Sequence, residues 1–144
     1  MAEPLLPYEI EVPQKLLDHV RVYIGDSREF NRIIEGLETT DEKLRLAIQL
    51  WIHHFNASPP VLTLKYDSKN FPNYLLMFHG VMIEVLKMAG IIQTRNFMNF
   101  NDGGVSFVVS DKGQEYSQWI QNLLTTHSQD FINTKVALNA EAAY

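Results

Sequence analysis

Apolar positions recur at helical spacing along most of the chain. Leu16, Leu17, Val20, Tyr23 and Ile24 predict a short helix over 14–24, ended by Gly25. Asp26 or Ser27 then caps a second short helix, with Phe30, Ile33, Ile34 and Leu37 on one face. Thr39 followed by Glu42 reads as a capping box. Leu44, Ala47, Ile48, Trp51, Ile52 and Phe55 continue from it as a helix over about 40–56, which stops before Ser58-Pro59-Pro60. From Asn73 to Ala89 apolar residues fall on nearly every face, and Glu84 and Lys87 are the only full charges. A helix over 72–89, with Pro72 in its first turn and Gly90 as its C-cap, is therefore the predicted buried centre.

Ile91 to Phe100 and Val105 to Ser110 read as two strands. Between them Asn101-Asp102-Gly103-Gly104 suits a turn at positive φ, which predicts a β-hairpin over 91–110. Ser110 or Asp111 then caps a last helix carrying Tyr116, Trp119, Ile120, Leu123 and Leu124. Phe131, Ile132, Val136 and Leu138 extend it to about 138, with a break near Thr125-Thr126-His127. Pro4, Pro7 and Pro13 make residues 1–14 an extended arm, in which Glu9-Ile10-Glu11-Val12 fits a short strand. Val61 to Tyr66 is either a strand or an extended loop. The expected fold class is α+β and mainly helical. It comprises a single domain over 15–135 around the 72–89 helix, one hairpin at 91–110, the arm 1–14 and an extended C-terminal tail 136–144.

Composition narrows the chemistry. The 144 residues suit one domain, and 17 acidic against 12 basic residues give a net charge of -5. The chain has no cysteine, which excludes disulfides, thiol catalysis and cysteine-based metal sites. No charge-free apolar run is long enough to span a membrane. The start, Met1 to Pro7, has no basic region and does not read as a secretory signal. His53 and His54 are adjacent on a helix and point roughly 100° apart, and His79 lies on another. A metal-dependent enzyme built on these three is the weakest-supported reading. Gly104-Val105-Ser106-Phe107 is not a nucleophile elbow. Gly103-Gly104 lacks the phosphate-loop pattern. The pairs Glu35/Glu38 and Asp41/Glu42 sit at helix ends, where capping accounts for them. No catalytic residue, metal ligand or cofactor is assigned.

Two resemblances bear on function. Leu86-Lys87-Met88-Ala89-Gly90-Ile91-Ile92 and the stretch from Asp102 to Gly113 resemble the helix and wing of MarR-like or PadR-like winged-helix regulators. That resemblance implies a DNA-binding transcriptional regulator. Its cation supply is thin, because residues 61–110 offer Lys65, Lys69, Lys87 and Arg95 against Asp67, Glu84 and Asp102.

The second resemblance runs from Met88 through Asn96, Asn101-Asp102-Gly103-Gly104-Val105-Ser106-Phe107 and Ser110-Asp111-Lys112 to Tyr116. A long helix and the Ala/Asn-rich end from Lys135 to Tyr144 follow. Over about the last 60 residues the chain is similar to small virion proteins of tailed bacteriophages, of the head–tail connector kind (neck, adaptor or head completion). The resemblance implies a non-enzymatic subunit of the virion, assembled in the host cytoplasm. It would form a homo-oligomeric ring and touch a portal or tail subunit, reading no specific nucleic-acid sequence and binding no membrane. The expected interaction residues are Arg95, Asn96, Phe97, Asn99, Phe100, Asn101 and Asp102 in the hairpin, and Val136, Leu138 and Tyr144 in the tail.

Overall fold

A computed structural model describes residues 3–26, 39–100 and 112–143, with 90–100 and 112–116 as backbone only. Four helices make it up: α1 (Gln14–Ile24), α2 (Asp41–Ala57), α3 (Tyr74–Phe100) and α4 (Lys112–Ala142). No strand occurs among the described residues. The expected α+β fold is thus corrected to an all-helical one.

The correction turns on Gly90, which lies inside α3 instead of ending it. An internal glycine costs a helix about 1 kcal/mol relative to alanine. The apolar spacing Val81, Val85, Met88 and Ile92 carries straight through that position. Residues 91–100, expected to be the first hairpin strand, are the last turns of α3. The winged-helix topology loses the strand that would open its wing. The rest of the expected hairpin, including Asn101 and Asp102, lies outside the described residues, as does the short helix expected near 27–37.

Other boundaries shift for local reasons. Thr40, not Thr39, caps α2, its side chain accepting from Lys43 N at 3.3 Å. Asn73 stands just before α3, and its Oδ1 accepts from Leu76 N at 3.2 Å, so the helix starts after Pro72. α4 runs unbroken through Thr125-Thr126-His127 and on to Ala142, so the C-terminal stretch is helical, not extended. Residues 9–12 and 61–66 form no strand. The N-terminal arm packs on its own domain: Val12 is buried, Ile10 O accepts from Gln49 Nε2 at 2.8 Å, and Glu11 O accepts from Ser68 Oγ at 2.5 Å.

The buried core is apolar and centred on α2, from which Leu44, Ala47, Ile48, Trp51, Ile52 and Phe55 point inward. Leu17 and Val20 of α1, Leu76, Met77 and Val81 of α3, and Phe131 of α4 close around them. Side-chain contacts give the helix directions. Trp51 reaches His127, and Phe55 O accepts from Lys135, so α4 runs parallel to α2. Trp51 lies against Gly80 while Phe55 lies against Phe71, so α3 runs the other way. At 1.5 Å per residue, α3 continues about ten residues past the start of α2. Trp119, expected within the apolar stripe of α4, is 63% exposed.

Arg21 ties α1 to the start of α2. Its guanidinium donates to Asp26 Oδ2 at 2.8 Å, to Thr39 O at 2.6 Å and to Asp41 Oδ1 at 2.7 Å, and that last bond holds the Asp41 carboxyl below its usual range. The chain reaches this joint by turning at Gly25, whose φ of 73° is left-handed. Replacing Gly25 by alanine places a Cβ at positive φ. Gly25→Ala is expected to cost about 1 kcal/mol in urea denaturation, with helical circular dichroism unchanged.

Candidate functional site

A cleft of about 270 Å³ lies where α2, α3 and α4 meet. Trp51, His54 and Ser58 line it from α2 and its end, Gly80, Glu84 and Lys87 from α3, and His127, Phe131 and Ile132 from α4.

Helical spacing explains the gathering. Trp51 and His54 are three residues apart, as are Gly80 with Ile83 and Glu84 with Lys87. His127 and Phe131 are four apart. Gly80 is there because Trp51 is: a methyl on residue 80 would occupy the place of the indole Nε1, Cδ1 and Cε2 atoms.

The polar chemistry centres on His127, which is 8% exposed. Trp51 Nε1–H donates to His127 Nε2 at 3.2 Å. That bond assigns the ring proton to Nδ1, which is buried and has no hydrogen-bond partner among the described residues. Burial holds His127 down at about 4, with the nearby His79 acting in the same direction and Asp130 opposing. His54 is lowered too, first by burial, against the raising effect of Glu84.

Behind the cleft, Lys135 is fully buried. Its Nζ donates to Phe55 O at 2.5 Å and to Ser58 O, carbonyls at the end of α2 that have no helical partner. The ammonium also lies 5.3 Å from the Phe55 ring centre and 5.4 Å from that of Phe131. Burial lowers its pKa.

Ser58 and His54 form the one nucleophile–base contact in the cleft, and its geometry is poor. Ser58 Oγ is 3.0 Å from Nδ1 and 3.4 Å from Nε2 of the same ring. An oxygen on the lone-pair axis of one nitrogen stands far from the other, so Ser58 Oγ lies on neither axis. The adjacent histidines diverge as their spacing requires. His54 faces this cleft, while His53 faces a smaller cavity beside Tyr8, Gln49 and Lys65. His79 lies 5.9 Å from the Tyr23 ring. No group of three or more metal-ligating side chains is found among the described residues.

The expected interaction residues divide. Arg95, Asn96, Phe97, Asn99 and Phe100 lie on the last turns of α3, on a helix and not on a strand. Asn101, Asp102 and Tyr144 lie outside the described residues. Val136 is 55% exposed, whereas Leu138 packs against the core. Gly80, His127 and Lys135 were not foreseen. The signal for the last two was present: Leu124, His127, Phe131, Lys135 and Leu138 follow one another at steps of three or four, which places both polar residues on the inward stripe of α4. Nothing in the sequence marks Gly80 apart from its glycine in a helix without polar faces.

No protein-family model matches the chain, and neither the curated proteins nor the solved structures include a significant match.

Two substitutions test this packing. Gly80→Ala drives a methyl into the Trp51 ring and should lower stability by about 3 kcal/mol, read as a urea midpoint shift at unchanged slope. Lys135→Met keeps the apolar stem but strips the donors from Phe55 O and Ser58 O, at a cost of about 1–2 kcal/mol. Lys135→Ala also opens a cavity and should cost about 3 kcal/mol.

Proposed function

We propose that the chain is a non-enzymatic assembly protein, a ring-forming subunit at the head–tail junction of a tailed-phage virion. The observation that carries this reading is an exposed apolar strip. Ile132 and Val136 on α4 are 46% and 55% exposed, and Val61 and Leu64 on the 58–73 segment are 76% and 59% exposed. Asn139 brings the two parts together, its side chain bonding Val61 O at 2.8 Å and Thr63 N at 3.1 Å. Exposed aliphatic residues on two segments joined in this way are costly unless something covers them, and such patches mark contact surfaces. Val136 belongs to both the strip and the expected docking residues.

The phage setting rests on the resemblance over the last 60 residues. The long final helix and its Ala/Asn-rich end remain part of that likeness, while the strand-like portion at 91–100 is helical and no longer contributes. The non-enzymatic character is supported by the Ser58–His54 geometry and by a His127 whose accepting nitrogen is already occupied by Trp51. No helix of the described residues is long and apolar enough to cross a membrane.

Light scattering on the purified chain should find a discrete oligomer. Val136→Asp combined with Val61→Asp should leave stability within about 0.5 kcal/mol, as usual for exposed positions, and reduce the mass to that of one chain. A wild-type chain that stays monomeric at high concentration, or a double variant that assembles normally, contradicts the proposal.

A further inference from the structure

We propose that His127 is an acid-sensitive latch. In its neutral form it holds the second half of α4 on α2 and α3, and its protonation releases that half while α1, α2 and the start of α3 stay folded.

The geometry leaves no room for a second ring proton. Nε2 already faces a donor, the indole N–H of Trp51. A proton there would set N–H against N–H and break the bond. Nδ1, which carries the proton in the neutral ring, finds no acceptor among the described residues. The imidazolium would therefore lose one hydrogen bond and gain none, inside a wall formed by Trp51 and Phe131, whose ring centres stand 5.7 Å and 5.8 Å away. Trp51 cannot retreat, because the Gly80 backbone lies on its ring at Nε1 and the rings of Phe55 and Phe71 pack against it at centroid distances of 5.6 Å and 5.1 Å. The part that must yield is α4.

The charged and titratable surroundings favour the same outcome. From α2 comes His54, from α3 His79, Glu84 and Lys87, and from α4 itself Asp130 and Lys135. Glu84 is already 3.5 Å from the Lys87 ammonium, and Asp130 is on the exposed side of α4. Ser58 and Pro59, from the segment after α2, add no charge. Among the described residues no buried carboxylate is placed to receive an imidazolium.

α4 is also less able than α2 to absorb the loss. Among its described side chains only His127, Phe131 and Lys135 are buried, whereas α2 buries six apolar residues.

The sign follows from linkage. An exposed histidine takes up a proton near 6.5, and docked His127 only near 4. Between those values the open state binds the extra proton, so opening becomes more favourable as pH falls.

The test is amide hydrogen exchange from pH 7.5 to 4, corrected for intrinsic rates, with the Trp51 indole N–H followed in the same samples. The expected result is that protection of residues 124–138 falls about tenfold per pH unit below about 6.5, the slope for one proton. The indole should fall in parallel while Leu44–Phe55 stay protected. His127→Gln, whose carboxamide oxygen can accept from Trp51 without titrating, should flatten the slope. The proposal is overturned if α2 and α4 lose protection together, or if the glutamine variant keeps the slope. Should that variant fail to fold, the wild-type imidazole resonance decides. Titration of His127 at the ordinary value with the indole N–H still protected overturns the latch, and a depressed titration coincident with indole exposure supports it.

Discussion

Trp51 can stand at the centre of this bundle only because residue 80 has no side chain. The indole fills the space between α2, α3 and α4, meeting the α3 backbone at Gly80, the Phe71 ring at a centroid distance of 5.1 Å, and His127 through its N–H. A tryptophan is seldom buried completely because of its size, and when it is buried its N–H needs an acceptor. Here α4 supplies one, so a single side chain sets both how closely α3 approaches α2 and where along its length α4 docks. Phe55, one turn further on, repeats the arrangement without the polar group, meeting Phe71, Tyr66 and Phe131 edge to face.

At the other end of the same contact, Lys135 completes α2. The last carbonyls of a helix have no partners within it, and burying them bare is expensive. Lys135 reaches across from α4 to satisfy two of them, and two aromatic rings face the charge that this brings inside. Asn139, one turn later, closes on the backbone of Val61 and Thr63. The stretch after α2 has no regular structure, yet it is held to α4 at both of these points. Val61 is thereby brought to the α4 turn that carries Asn139.

The helices were legible where apolar spacing was regular and ended by a residue of unambiguous chemistry. α1 occupies the stretch its pattern predicted and ends at Gly25, and the core residues of α2 are those its spacing named. The misreadings share a cause, which is that local signals were read without knowing what lay alongside. Gly90 looks like a cap, and Asn-rich 93–102 looks like strand and turn, yet the helix carries on through 100. Gly25 and Gly90 are the same residue in similar sequence settings, and only the first takes the left-handed turn. The site was less legible than the fold. His53 and His54 drew attention as a pair, while the histidine that matters stands alone on α4. Its role depends on Trp51, 76 positions away in the chain, and no short motif encodes such a pairing.

α2 and α4 are held by different physics. Aliphatic and aromatic burial keeps α2 in place at any pH at which the chain is folded. The inward stripe of α4 contains two ionisable groups, and burial lowers the pKa of both. Each therefore gives up its proton more readily when α4 is docked than when it is free. The two effects have the same sign: the lysine acts below its ordinary value, and the histidine between about 4 and 6.5. Docking of α4 thus releases protons, and acid opposes it. A helix attached in this way is conditionally bound, although its neighbours are not. The exposed strip of Ile132 and Val136 lies on that helix, so any surface presented there keeps its shape only while the neutral imidazole holds its bond to Trp51.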